Sequence, residues 1–192
     1  MWAQNTLDQQ WESSSFNQIS LILPHCSSIS FTSNLSNTIE LRYITEGEYK
    51  NKLVLSTDTK TENLVLTEMF NPIFPSFNDK LSAHKVMASK IELTLPSHLK
   101  VTLKAAVAAV LLKGDYHALE LELDEGKIKI NSDYSAGKIN TQSALIELIG
   151  KTQKVWANSR SGKIVGKITA KNSANLLLET VNGNILIPSD KN

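Results

Sequence analysis

Five 12-residue units starting at Val101, Leu119, Gly137, Val155 and Leu176, spaced 18, 18, 18 and 21 residues apart, superimpose in register. A fixed period of this length restricts the chain to stacked β architectures, because one such unit cannot bury its apolar face alone. The tenth position reads Val110, Ile128, Ile146, Ile164, Ile185, the third Leu103, Leu121, Ile139, Ala157, Leu178, and the twelfth Leu112, Ile130, Leu148, Gly166, Ile187. These columns read as an interior. The eighth position is small throughout, Ala108, Gly126, Ala144, Gly162, Gly183, as a tight bend or a close backbone approach requires.

Within a unit, Leu119, Leu121 and Leu123 alternate with Glu120 and Glu122, and Ile128 and Ile130 flank Lys129, the period of two of half-buried strands. Each unit is therefore strand, bend, strand. With successive units stacked at about 4.8 Å, outward residues 18 apart become neighbours, which pairs Lys104 with Glu122, Glu120 with Lys138, and Lys129 with Glu147. The expected fold is all-β, a single-stranded β-helix (β-solenoid) with turns of 18 residues and a β-rich N-terminal region. The alternative is an antiparallel meander or sandwich, in which Asp124-Glu125-Gly126, Arg160-Ser161-Gly162 and Asn182-Gly183 are hairpin turns. Poor hairpin turns at Val107-Ala108-Ala109 and Gln142-Ser143-Ala144 keep the period and weigh against it.

Ahead of the repeat, residues 12–95 read as short strands: Ile19 to Leu23, Ile29 to Phe31, Ile39 to Tyr43, Leu53 to Leu55, Leu64 to Leu66 and Ile91 to Leu95. A loop from Asn71 to Asp79 carries Phe74 and Phe77 between prolines, and residues 79–89 are a short helical candidate. The organisation expected is a leader remnant or disordered start at 1–11, an N-terminal β-rich cap at 12–95, the repeats at 96–187 and a tail at 188–192. Met1-Trp2-Ala3-Gln4-Asn5 resembles the end of a secretory signal peptide without its charged and apolar portions. Either the true start lies upstream of Met1 or the likeness is chance. The expected location is secreted, periplasmic or cell envelope, with the cytoplasm as alternative.

Twenty basic and 19 acidic residues are interspersed for a net charge of +1, so there is no electrostatic footprint for nucleic acid. Arg42 and Arg160 are the only arginines, which argues against recognition of phosphate by arginine forks. No apolar run approaches the ~18 residues of a transmembrane span. Cys26 is alone, which excludes an internal disulfide. His25, His84, His98 and His117 have no metal-ligand spacing, and His25-Cys26 would bind a metal only if a third ligand folded nearby. No catalytic residue, cofactor or metal is expected.

The Leu-Thr-Leu-Pro segment at Leu93 to Pro96, followed by Gly126-Lys127-Ile128, Gly162-Lys163-Ile164 and Gly183-Asn184-Ile185, resembles the putative adhesin family of bacterial β-strand-repeat proteins over roughly residues 15–187. That family is related to auto-transporter adhesin head domains. The resemblance implies a single-stranded β-helix in an envelope or secreted protein, with no catalytic residues to carry over. The family favours Asp after the bend glycine, whereas Lys127, Lys138 and Lys163 follow glycine here, so a shared ligand is not implied.

Two connectors repeat Asp-Tyr-x-Ala, at Asp115-Tyr116 and Asp133-Tyr134. Stacked one turn apart, these carboxylates and rings would be the candidate contacts for a glycan or cation, together with Phe74 and Phe77. The plainer reading of the connector is a turn with a packing ring. Trp156, Leu177 and Leu186 fall at outward positions of the last units and are candidates for self-association. Residues 172–192 are accordingly expected to pack on the N-terminal strands or to mediate homo-oligomer contacts. Three functions remain: a non-enzymatic envelope protein with an adhesin-like or scaffolding role and envelope proteins or glycans as partners; a glycan-binding or carbohydrate-active β-helix; and a cytoplasmic filament protein akin to the bactofilins.

Overall fold

A computed structural model describes residues 4–47, 51–73, 87–150 and 154–188. Three long strands make its centre: β8 (Lys100–Lys113), β9 (Tyr116–Asn131) and β10 (Ser135–Ile149). In a straight strand the inward residues share one parity. In β8 they do not: Val101, Leu103 and Ala105 are buried, then Ala108, Val110 and Leu112. The same inversion separates Leu121 and Leu123 from Ile128 and Ile130 in β9, and Ile139 and Thr141 from Ala144 and Ile146 in β10. Each strand therefore turns a corner at its midpoint, and one rung of pairing is skipped there, between Ala105↔Leu123 and Val107↔Glu125.

The three strands are parallel at the 18-residue offset of the repeat, with Val101, Leu119 and Gly137 in line and Val110, Ile128 and Ile146 in line. Asp124-Glu125-Gly126 is accordingly a corner within one strand rather than a hairpin. The outward charge pairs follow this register in part. Lys104 and Glu122 bond at 2.9 Å, and Lys129 stands 4.0 Å from Glu147. Glu120 and Lys138 are opposite one another, yet Glu120 bonds Lys100 and Lys138 bonds Glu179, each at 2.8 Å.

The last units depart from sequential stacking. The fourth unit supplies β11 (Val155–Ser159) and β12 (Ile164–Val165), and the fifth supplies β13 (Leu176–Thr180) and β14 (Ile185–Leu186). Leu176 pairs with Gly137 on one side and Val155 on the other, so the fifth unit lies between the third and the fourth. Burial explains the order. The inward residues of the fifth unit are Leu176, Leu178, Ile185 and Ile187, whereas the fourth offers Val155, Ala157, Ile164 and Gly166, so the larger apolar set is enclosed and the smaller ends the stack. Residues 176–187 thus enter the repeat instead of packing on the N-terminal strands.

On the other side of β8, β2 (Gln18–Leu23) and β3 (Cys26–Asn34) pair in parallel with its two halves, Ile19 opposite Val101 and Ile29 opposite Val110. The two-residue break Pro24-His25 takes the place of the corner. Next come β6 (Asn63–Phe70) on β2 and β7 (Met87–Pro96) on β3, both parallel. Antiparallel strands finish this end: β4 (Thr38–Gly47) on β7, β5 (Leu53–Lys60) on β6, and β1 (Asn5–Glu12) on β4. Asn5–Glu12, which overlaps the stretch 1–11 expected to be a leader remnant or a disordered start, is a strand because Leu7 and Trp11 face inward and pack on the core. Of the helix expected at 79–89, residues 79–86 lie outside the described residues, and Met87–Ser89 begin β7.

The result is an all-β protein with one mixed 14-stranded sheet. Its two arms face each other across a common core, which is the sandwich-like member of the two expected architectures. Parallel pairing fills the repeat half and antiparallel pairing is confined to the N-terminal end. Among the described residues the sheet does not close: β1 and β5 are edges at one end, β11 and β12 at the other.

Candidate functional site

The two Asp-Tyr connectors, alike in sequence, are not alike in space. Tyr116 is fully buried, and its hydroxyl donates to the Lys113 carbonyl at 2.9 Å. Burial drives its ionisation far above the usual phenol range. In β10 the register slips between Ser135 and Gly137, so Ser135 occupies the position opposite Tyr116. Tyr134 is displaced outward, 40% exposed, with its ring 5.7 Å from that of His117. Asp115 closes the neighbouring connector: its Oδ1 accepts from the Asp133 and Tyr134 N–H groups at 3.1 and 2.9 Å and from the Ser132 hydroxyl at 3.0 Å. Asp133, Tyr134 and His117 thus reach solvent, while Asp115 serves the turn and Tyr116 the core. Phe74 and Phe77 lie outside the described residues.

At the C-terminal end, Trp156 and Leu177 are neighbours across β11 and β13, and the Lys171 ammonium sits 4.3 Å above the indole. Leu186 lies between Glu147 and Val165. All three candidates are partly buried. The more exposed apolar residues there are Ile164, Val165 and Ile168, at 37%, 55% and 48%. Ile164 belongs to the core column of Val110, Ile128, Ile146 and Ile185, so the interior is open to solvent at the last rung.

One polar cluster was not anticipated. Glu68 on β6, 2% exposed, accepts the Tyr43 hydroxyl at 2.8 Å and the Ser89 hydroxyl on Oε1, and the His25 N–H at 2.8 Å on Oε2. The alternation Leu64, Leu66, Glu68 was the available signal, since it sets an acid in an inward column. The cluster ties β2–β3, β4, β6 and β7 together at the corner. Burial first, and Glu68 second, push the adjoining Cys26 thiol up to about 12. Tyr43 is raised far above its ordinary value by the same two causes. A serine bonded to a carboxylate has the form of an activated nucleophile. Here Ser89 is fully enclosed, so no substrate reaches it. The His25 ring lies 4.5 Å from that of Phe70, tilted by 45°, and among the described residues no three His, Cys, Asp or Glu side chains are placed to hold a metal.

Two concavities occupy the N-terminal end. A groove of about 600 Å³ runs over the outward face of β1, β4 and β7, where Asp8, Gln10, Glu40, Arg42, Glu92 and Thr94 line it and Arg42 Nε bonds Asp8 at 2.8 Å. A cleft of about 480 Å³ opens between the arms at edges β1 and β5, with Leu7, Tyr43, Leu53 and Leu55 inside and Asn5, Asn51 and Asn71 at its margin. Among the described residues no charged side chain lines this cleft. Among the described residues no helix is long and apolar enough to cross a membrane.

No protein-family model matches the chain, and no curated protein matches it. Among solved structures, a putative cell adhesion protein from Clostridium sporogenes is similar over 98% of this chain and 100% of its own, with a TM-score of 0.62 at 13% identity. A putative adhesin from Bacteroides fragilis covers 95% of this chain and 97% of its own at 13% identity, but its TM-score of 0.40 is too low to support an argument. The chain shares the fold of the first of these across its whole length.

Proposed function

We propose that this chain is a non-enzymatic, exported cell-envelope protein with an adhesin-like or scaffolding role, built on β-solenoid winding with 12–95 as cap and 96–187 as the repeat. The observation that carries this reading is the end-to-end likeness in fold to the putative cell adhesion protein from Clostridium sporogenes. The 18-residue parallel register of β8, β9 and β10 supports the winding. The enclosure of the Glu68–Ser89 pair supports a role without catalysis. Envelope proteins or glycans are the expected partners. The test is the N-terminal mass and location of the native protein in its own cells. A processed chain in the envelope fraction is expected, and an unprocessed cytoplasmic chain would overturn the reading.

A second reading, glycan binding, is favoured by the exposed Tyr134 ring beside His117 and Asp133. Aromatic faces flanked by hydrogen-bonding groups suit sugar rings. Binding on a glycan array that Tyr134→Ala abolishes would establish it, and unchanged binding by that variant would remove Tyr134 from the site.

A further inference from the structure

The two open ends of the sheet carry opposite charge. From Lys154 to Ser173 the chain has Lys154, Arg160, Lys163, Lys167 and Lys171, with no acid until Glu179, and all five are exposed. Only Lys171 has a carboxylate partner among the described residues, Glu179 at 3.6 Å. At the other end, residues 4–60, which include β1, β4 and β5, carry Asp8, Glu12, Glu40, Glu46, Glu48 and Asp58 against Arg42, Lys50, Lys52 and Lys60, a modest excess of acid. Arg42 bonds Asp8, Lys60 bonds Asp58 and Lys90 lies 3.3 Å from Glu46, while Glu12 and Glu40 have no basic partner among the described residues.

The same ends are complementary in shape and polarity. The C-terminal rung presents Ile164, Val165 and Ile168 to solvent, and the N-terminal end holds the cleft floored by Leu7, Leu53 and Leu55, which no charged side chain lines among the described residues. Both ends also expose strand edges, β11 and β12 at one, β1 and β5 at the other. An uncovered edge beside apolar side chains invites pairing with another chain. Each end carries what the other lacks.

We propose that the basic β11–β12 end of one copy docks on the acidic β1–β5 end of a second copy, with the exposed rung at Ile164 and Val165 set against the Leu7–Leu53–Leu55 cleft. Such a contact is heterologous and does not close on itself, so copies add head to tail. Opposed charges set the polarity of the contact and make it sensitive to salt. This gives physical form to the scaffolding role proposed above. The two fail separately, because a monomer overturns the contact and leaves envelope location untouched.

The test is sedimentation velocity of the full chain over a range of concentrations at low and high salt. Mass is expected to rise past the dimer with concentration, and high salt to weaken the association about tenfold or more. Val165→Glu, at an exposed position, blocks the tail, and Glu12→Lys weakens the head; unchanged far-UV circular dichroism and thermal midpoint confirm that both fold. Lys163→Glu serves as a second tail variant. Mixing a tail variant with the head variant should restore a dimer and stop there, since one intact head meets one intact tail. A monomer at every concentration would overturn the proposal, as would a symmetric dimer that mixing does not rescue. So would a monomer that instead binds phosphatidylglycerol vesicles through Lys154, Arg160 and Lys163, which would assign the basic end to an anionic surface.

Discussion

Gly126 offers the sharpest quantitative test of the corner. In spatial order the corner column reads Ala108, Gly126, Ala144, Gly183, Gly162, so alanine is tolerated at two of its positions. Gly126 differs because its φ is +122° and a Cβ there would lie 2.0 Å from the Ala108 carbonyl oxygen and 2.9 Å from its carbon. Gly126→Ala therefore incurs about 1–3 kcal/mol for an alanine held in that conformation. Relieving the overlap moves β9 away from β8 and loses one or two ladder hydrogen bonds of about 1 kcal/mol each. The sum, about 2–5 kcal/mol, is a large share of the ~5–15 kcal/mol that holds a domain together. It corresponds to a fall in thermal midpoint of roughly 10 °C for a chain of this size. Ala144→Gly in the same column removes one buried methyl and adds chain entropy to the unfolded state, a cost of about 1–2 kcal/mol. Urea denaturation followed by tryptophan fluorescence measures both. Equal losses in the two variants, or a loss below about 1 kcal/mol for Gly126→Ala, would refute the claim that backbone conformation rather than size selects glycine at this corner.

Further outcomes follow from the buried cluster and the surface ladders. Glu68→Leu strands the Tyr43 and Ser89 hydroxyls and the His25 N–H and should destabilise by about 2–5 kcal/mol, whereas a double-mutant cycle of Tyr43→Phe with Glu68→Gln should show coupling of about 1–3 kcal/mol; an additive cycle would place the hydroxyl and carboxylate outside one network. Because the Cys26 thiol is raised from 9.0 to about 12, its contribution to stability is complete below pH 9 and declines as pH rises toward 12. Iodoacetamide at pH 8 should leave folded protein unmodified, and Cys26→Ala should flatten the alkaline decline measured by thermal melts. Glu120 and Glu179 are held below the usual carboxylate range by hydrogen bonds from Lys100 and Lys138. Their contribution is present above the ordinary Glu value and is lost as pH falls below it; Glu120 is exposed and Glu179 half-buried beside Lys138, so Lys138→Met should change acid stability by no more than about 1 kcal/mol.

The inward columns of the repeat were legible because burial imposes a strict period on them, and the bonded pair Lys104–Glu122 confirms that period on the outside. The order of the last two units was not. Spacing locates equivalent residues, but which unit lies inside depends on comparing Ala157 and Gly166 with Leu178 and Ile187. The Asp-Tyr ladder misled for a different reason. One slipped residue between Ser135 and Gly137 moves Tyr134 out of the column of Tyr116, and no periodicity detects a single bulge. Strand direction at the N-terminal end was also hidden, because β4 and β7 lie far apart in sequence and alternation is the same for parallel and antiparallel partners. Glu68 was the reverse case: alternation pointed it inward, and only its three donors explain why an acid is tolerated there.

The exchanged order of the final units governs how the protein can be assembled. During synthesis β11 and β12 leave the ribosome before β13 and β14, yet their place in the sheet does not exist until the later strands have paired with β10. A stack built in sequence could grow one rung at a time. Here the final two rungs must form together, as a single cooperative step that waits for residue 187. Once formed, a pull on the chain end draws on a strand flanked on both sides, and two ladders must break where an outermost strand would peel from one.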